Sequence, residues 1–287
     1  LACPRCASFI RTWGRRELEE LSARFRSAHT TRERDIVKSL TWTVPGSVWA
    51  VDFSDAGVDI EGDFRHLLLV RDLATGNELL ALPCRAQDAR TVRAAFSALL
   101  EREGPPLVLK ADNGGCFVAD VVADLLATHA VLLLRSPPGT PQFNGACEAG
   151  GGAIKTRAHH IAAAHGRETC WSCDDVEAAR IELNENARAW HSSAPTPGEA
   201  WRRREPLSPA LRAALRAAVA RRVAAELGGR GLGLCAIVDD KITQEVARAA
   251  IAGSLRALWL LSSRTTTIPA LRGPRRTDKP EEVISST

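Results

Sequence analysis

The chain has 287 residues, 45% of them apolar and 25% charged, with a formal net charge of +4. That is an ordinary globular composition with room for one or two domains and a substantial core. It excludes a membrane-spanning chain, because no apolar run reaches the length of a span and Arg256 interrupts the best stretch, 249–261. No basic stretch followed by an apolar one marks a signal peptide, so a cytoplasmic location is expected.

The charge is unevenly distributed. Residues 1–44 hold nine Lys/Arg against five Asp/Glu, residues 45–200 thirteen against twenty-one, and residues 201–287 sixteen against eight. An acidic centre between basic flanks suits a metal-dependent enzyme acting on a polyanion: the flanks attract phosphate, and the centre repels it unless cations fill it. A solvated surface with chance asymmetry accounts for the pattern equally well. The basic residues are nearly all Arg, and Met and Tyr are absent, which reads as coding bias.

Along the chain, residues 14–38 read as one or two charged helices with Leu18, Leu21, Phe25, Ile36 and Val37 as sparse apolar marks. Pro45-Gly46 then punctuates the chain. Val48-Trp49-Ala50-Val51-Asp52-Phe53 is a buried strand that ends in a carboxylate. The acidic stretch 54–63 reads as a loop, 66–70 as a second strand and 78–82 as a third, together an antiparallel meander. Asp88 is placed to cap a helix over 89–103 with Val92, Ala95, Phe96, Leu99 and Leu100 on one face.

A fourth strand over 107–110 leads to Asp112. A helix marked by Phe117, Val121, Val122, Leu125 and Leu126 follows, then a fifth strand over 131–134. Ser136-Pro137-Pro138-Gly139-Thr140-Pro141 is a loop, since its prolines fit neither helix nor inner strand. Helices are expected over 145–165 and from Asp174 or Asp175 to about 190, then a short capped turn at Thr196-Pro197-Gly198-Glu199. Two Ala-rich helices, over 209–227 and 243–260, make a basic tail, and the last twenty residues read as loosely ordered. There is no internal repeat. The order gives an α/β fold, a mixed five-stranded sheet with helices on its faces.

Three acids stand out by placement. Asp52 is late in the first strand, Asp112 just beyond the fourth, and Glu148 in the first turn of the long helix. Those two strands can lie side by side, and thirty-five residues separate Asp112 from Glu148. Three carboxylates without a nearby histidine cluster suit hard divalent cations. Two such ions can clamp the attacking and leaving oxygens of an in-line phosphoryl displacement. Singly, each acid has a plainer use: Asp52 at a strand end, Asp112 in an Asx turn before Asn113-Gly114, Glu148 against the helix dipole.

Together these pieces resemble the DDE recombinases, the retroviral-type integrases and bacterial insertion-sequence transposases with a ribonuclease-H-like fold. The likeness rests on the strand 48–53, on Lys110-Ala111-Asp112-Asn113-Gly114, and on Ser136-Pro137-Pro138-Gly139-Thr140-Pro141-Gln142-Phe143-Asn144-Gly145-Ala146-Cys147-Glu148. It spans roughly 45–201, and Thr196-Pro197-Gly198-Glu199-Ala200-Trp201 is similar to the family's domain end. It implies a catalytic core over 45–201, a possibly truncated N-terminal segment over 1–44 and a basic helical region over 202–287.

The resemblance further implies strand cleavage at the ends of a mobile element and joining of a 3′-hydroxyl to target DNA, with Asp52, Asp112 and Glu148 as catalytic residues and ligands of two Mg²⁺ or Mn²⁺ ions. The partners implied are double-stranded DNA at the element ends and target, and further copies of the chain; the place is the nucleoid. No helix-turn-helix or zinc-binding His pair is evident near the N-terminus, and the start at Leu1 leaves room for a DNA-end-binding domain upstream.

Other residues have open readings. Lys155 and His159 lie on the Glu148 stripe of the long helix and either hold phosphate or form an exposed polar face. Gln142 and Asn144 either bond DNA or shape the turn. Gly150-Gly151-Gly152 weakens the helix or allows close approach of backbone and DNA. Asp55, Asp59, Glu61, Asp63 and Asp72 read as solvated loop charges. Arg202-Arg203-Arg204, Arg221-Arg222 and Arg275-Arg276 either meet backbone phosphates or are solvated. Cys3/Cys6 and Cys170/Cys173 are C-x-x-C pairs too far apart in sequence to favour a shared zinc, and reduced thiols are expected. Two competing functions are a ribonuclease-H-like nuclease without strand transfer, and a DNA-binding relic that has lost catalysis.

Overall fold

The computed structural model describes residues 19–21, 36–138, 141–187, 193–232 and 240–267. In chain order the first elements are β1 (Ile36–Trp42), β2 (Val48–Ile60), β3 (Phe64–Asp72), β4 (Glu78–Cys84) and α1 (Ala89–Glu103). Then come β5 (Val108–Ala111), α2 (Gly115–Val118), α3 (Asp120–Thr128), β6 (Leu132–Arg135), a 3-10 turn (Pro141–Asn144) and α4 (Gly145–Ala164). The last are β7 (Cys170–Trp171), α5 (Cys173–Asn186), α6 (Pro197–Arg202), α7 (Pro209–Gly229), α8 (Asp240–Ala257) and β8 (Leu261–Thr267).

The main sheet runs β4-β3-β2-β5-β6, with β7 added to the far end of β2. The first three strands form an antiparallel meander, while β5 joins β2 and β6 joins β5 in parallel. Alternation along β2 explains the layers. Trp49 and Val51 enter one apolar cluster, whereas Ala50, Ala56 and Ile60 enter another, because successive strand residues face opposite sides. The first face is covered by α1, α2 and α3. In α1, Asp88 accepts hydrogen bonds from the Arg90 and Thr91 amides and caps the helix. Val92, Phe96, Leu99 and Leu100 form its buried stripe. On the other face α4 and α5 cover one part. Over β5 and β6, Leu215 and Val219 of α7 and Ile251 and Leu255 of α8 pack with Val48, Leu107, Val108 and Leu134.

The structure corrects three readings. Ile36–Trp42 is a strand and not the end of a helix, and it pairs with β8 in a separate two-stranded sheet. A partner more than two hundred residues away leaves no local trace. Residues 1–18 and 22–35 lie outside the described residues; 19–21 are helical. The expected loop at 54–63 is mostly strand: β2 runs on to Ile60 through an irregularity after Asp55, and Ala56 and Ile60 are buried. Asp72 is buried and not solvated. It accepts hydrogen bonds from the Gly46 amide, the Thr75 amide and the Thr75 hydroxyl, and so ties the β1–β2 connection to the β3–β4 turn.

The glycine run explains how closely α4 sits on the sheet. Gly150 and Gly151 are buried, and a Cβ at Gly150 would overlap the Glu78 carboxylate and the Arg71 guanidinium, while one at Gly151 would overlap Leu69. Two of the three glycines therefore serve helix-on-sheet approach. Gly152 faces open space.

Two compact units divide the chain, residues 1–40 with 263–287, and residues 41–262. The main sheet and α1 to α8 belong to the second. In the first, the Ser39 hydroxyl donates to the Arg264 carbonyl. No helix among the described residues is long and apolar enough to cross a membrane.

Candidate active site

The parallel register of β2 and β5 sets Val48 beside Val108, Trp49 beside Leu109 and Ala50 beside Lys110. Asp52 follows Ala50 by two residues within β2, and Asp112 follows Lys110 by two residues, just past the end of β5, so adjacent strand ends carry the two carboxylates. Glu148 arrives from the first turn of α4 and is exposed. The electrostatics reflect the convergence. The half-buried Asp52 carboxyl is raised from 3.8 to about 6, first by burial and then by the negative charges of Asp112 and Glu148. Hydrogen bonds from the Phe53 backbone and the Asn144 side chain oppose the rise.

Asp112 is held by its own loop: Oδ1 accepts from the Gly114 amide at 2.8 Å, an Asx turn. Asn113 donates to the Ser136 carbonyl at 2.8 Å and accepts from Arg135 Nε at 3.2 Å. The Ser136 amide and hydroxyl both return to the Ala111 carbonyl. The start of the Pro-rich segment is thus sewn to the end of β5. Behind Asp52, Phe53 stacks on Phe117 with centroids 5.5 Å apart.

The polar candidates divide. Asn144 is 4% exposed and donates to the Val51 carbonyl at 3.1 Å, so it is spent within the protein and not displayed to DNA. Its Oδ1 is buried without a hydrogen-bond partner among the described residues. The Gln142 side chain lies outside the described residues. Lys155 donates to the Ser54 hydroxyl at 2.9 Å and the Asp55 carbonyl at 3.1 Å, fastening α4 to β2 just past Asp52. His159 is exposed, its ring 6.3 Å from that of His160.

Of the solvated acids, Asp59 pairs with Arg65 and Asp63 with Arg85, while Asp55 accepts from Gly57 and Glu61 from Cys173. Arg202 pairs with Glu185, and Arg204 pairs with Glu103 and stacks on Trp201 at 3.6 Å. Two members of that arginine triplet therefore have uses inside the fold. Arg275 and Arg276 lie outside the described residues. Cys170 and Cys173 are free thiols, and Cys3 and Cys6 fall outside the described residues.

Sequence reasoning missed the role of Lys110. It is 5% exposed, its ammonium donates to the Phe143 carbonyl, and it lies 4.3 Å from the centre of the Phe143 ring. Burial pushes its pKa down to about 8, against the opposing effects of Cys147 and Glu148. The available signal was a lysine in an otherwise apolar four-residue strand.

Among the described residues, no group of three His, Cys, Asp or Glu side chains is drawn together in a form that could hold a metal ion. The donors nevertheless suit a hard divalent cation in kind. They are all carboxylates, and their mutual repulsion at Asp52 is what a cation would relieve.

No family model and no curated protein sequence matches this chain. Solved structures do. A chain of the simian T-cell lymphotropic virus intasome in complex with the PP2A regulatory subunit B56 gamma aligns with a TM-score of 0.51 at 15% identity, over 59% of this chain and 58% of that one. The catalytic core domain of HTLV-2 integrase in complex with magnesium aligns at 16% identity over 54% of this chain and 95% of that one, TM-score 0.44. The catalytic core domain of BIV integrase aligns at 19% identity over 54% and 93%, TM-score 0.44. This chain spans a little under three fifths of the intasome chain's length. The likeness is one of fold: a mixed sheet flanked by helices, as in ribonuclease-H-like integrase cores.

Proposed function

We propose that this chain is a DDE-type polynucleotidyl transferase of the transposase/integrase kind, which cleaves DNA strands and joins a 3′-hydroxyl to a target strand. The observation that carries the reading is the effect of both Asp112, just past β5, and Glu148, in the first turn of α4, on the Asp52 carboxyl of β2. The integrase-like fold supports it. In this reading residues 45–201 are the catalytic core, and Asp52, Asp112 and Glu148 hold two Mg²⁺ or Mn²⁺ ions. When bound, such ions activate a water or 3′-hydroxyl and stabilise the departing oxygen. The double-stranded DNA is met by the exposed end of α4 and by basic surface beyond residue 202, on more than one copy of the chain, and the protein works at the nucleoid.

A second reading, a DNA-binding relic without catalysis, is favoured by the lack of a closed three-ligand group among the described residues. One assay separates the readings. Labelled duplexes carrying the ends of the surrounding element are incubated with the protein, plasmid target and Mn²⁺. Joined products are expected, and Asp112→Asn is expected to lower their yield by roughly a thousand-fold without lowering the melting temperature. Cleavage without joining would instead identify a nuclease. Binding with no product, indifferent to Asp112→Asn, would identify the relic.

A further inference from the structure

Lys110 lies in β5 beside Ala50 of β2, two residues ahead of Asp112, which follows the strand's end. What holds its buried ammonium is a main-chain carbonyl, that of Phe143, together with the face of the Phe143 ring. Phe143 belongs to the 3-10 turn Pro141–Asn144, directly ahead of α4. The next residue, Asn144, reaches the other strand and donates to the Val51 carbonyl. The turn is therefore pegged twice, to β5 by Lys110 and to β2 by Asn144, and these are the strands that carry Asp112 and Asp52. Glu148 stands four residues past Asn144, about one helical turn.

A lysine is a costly way to fill this space. Burying an ammonium is expensive even with a carbonyl acceptor and the charge of Glu148 to favour it, and an apolar side chain of similar length would pack there at less expense. Packing alone does not account for the choice; a directional donor aimed at the turn does.

We propose that Lys110 is a positioning residue that clamps the turn ahead of α4 and thereby sets where Glu148 stands relative to Asp52 and Asp112. The inference rests on the reading of those three acids as one site. It does not make Lys110 a catalytic residue, since the side chain is covered and acts through the turn.

The test uses the full chain without DNA. Hydrogen–deuterium exchange is followed over residues 142–148, and Mn²⁺ binding is read from the spectrum of free Mn²⁺, in wild type and Lys110→Met. The variant is expected to melt at or above the wild-type temperature. Its amides at 142–148 are expected to exchange about tenfold faster, and its Mn²⁺ affinity to fall by roughly 10- to 100-fold, the usual range when support behind a metal ligand is lost.

Phe143→Leu keeps the acceptor carbonyl and loses only the ring, so its exchange stays close to wild type. If Lys110→Met does not fold, Lys110→Leu carries the test, because it removes the donor with a smaller apolar side chain and is expected to show the same faster exchange. Unchanged exchange at 142–148 overturns the clamp. Faster exchange with unchanged Mn²⁺ affinity overturns its link to Glu148. A wild type that binds no Mn²⁺ overturns the proposed function instead, and the exchange data then decide the clamp by themselves.

Discussion

The two faces of the main sheet are built on different terms. Under α1, α2 and α3 the contacts are apolar: Trp49, Val51, Leu68 and Val70 of the strands meet Val92, Phe96, Leu99 and Phe117 of the helices. Under α4 and α5 the apolar residues are interrupted by Arg71, Glu78, Lys110 and Asn184. Arg71 and Glu78 form an ion pair at 2.6 Å, with Glu78 only 3% exposed. Asn184 of α5 accepts from the Glu78 amide and donates to its carbonyl. An irregular register between β3 and β4 sets Arg71 opposite Glu78 while Val70 stays opposite Leu80, so both charges face α4. Glu148 belongs to α4 on this second face, and its charge acts on Asp52 together with that of Asp112. One face supplies non-directional cohesion, and the other fixes a single placement of α4 through groups that tolerate only one arrangement.

The comparison is broken most severely on the apolar face. Phe96 is 2% exposed and sits in the middle of the α1 stripe. Phe96→Ala is expected to lower the unfolding free energy by about 4 kcal/mol through lost burial and the cavity left behind. Urea unfolding at two pH values checks it, and the loss is expected to be the same at both, because Phe96 packs in the apolar cluster. A loss below about 1 kcal/mol would mean that this face is not the main source of cohesion.

The polar face is expected to respond to pH. Glu78 is raised from 4.5 to about 7, first by burial, with Arg71 and Arg180 opposing. A carboxyl with a higher pKa in the folded chain keeps its proton there after the unfolded chain has lost it. Its contribution is therefore full below about pH 4.5, declines as pH rises, and is gone above about pH 7. The difference corresponds to about 3 kcal/mol. The stability gap between wild type and Glu78→Gln, measured by urea unfolding from pH 4.5 to 8, is expected to move by about that amount in favour of the variant. A constant gap would refute the raised pKa.

The same division explains what the sequence made legible. Helix α1 runs over 89–103 as read, because Asp88 and an apolar stripe are both local signals. The meander and the parallel β5 and β6 follow from short apolar runs between turn residues. That the charge of Asp112 is felt by Asp52 follows once β2 and β5 are adjacent. Harder to read were features that depend on a distant partner. The pairing of β1 with β8, the run of β2 on to Ile60, and the burial of Asp72 under Gly46 and Thr75 are of this kind. The roles of Lys155 and Asn144 stay open in the sequence because the α4 stripe and the turn composition are local. Their main-chain partners on β2 are about a hundred residues away.

The glycine run gives the smallest and sharpest test, since neighbouring residues of one helix are expected to respond with opposite sign. At Gly150 an added methyl meets the Glu78 carboxylate and the Arg71 guanidinium, and the buried Glu78 end of that ion pair must move to admit it. Gly150→Ala is expected to destabilise by about 2 kcal/mol, the middle of the range for overpacking a closed site. At Gly152 nothing lies within 4 Å of the added methyl, so only the backbone effect remains, and alanine is expected to stabilise by about 1 kcal/mol. Differential scanning calorimetry of the two variants reads both signs. If both alanines stabilise, α4 does not rest on Glu78 and Arg71 as described. If both destabilise, the outer side of α4 is covered, and the glycines there serve a contact made by something other than the sheet.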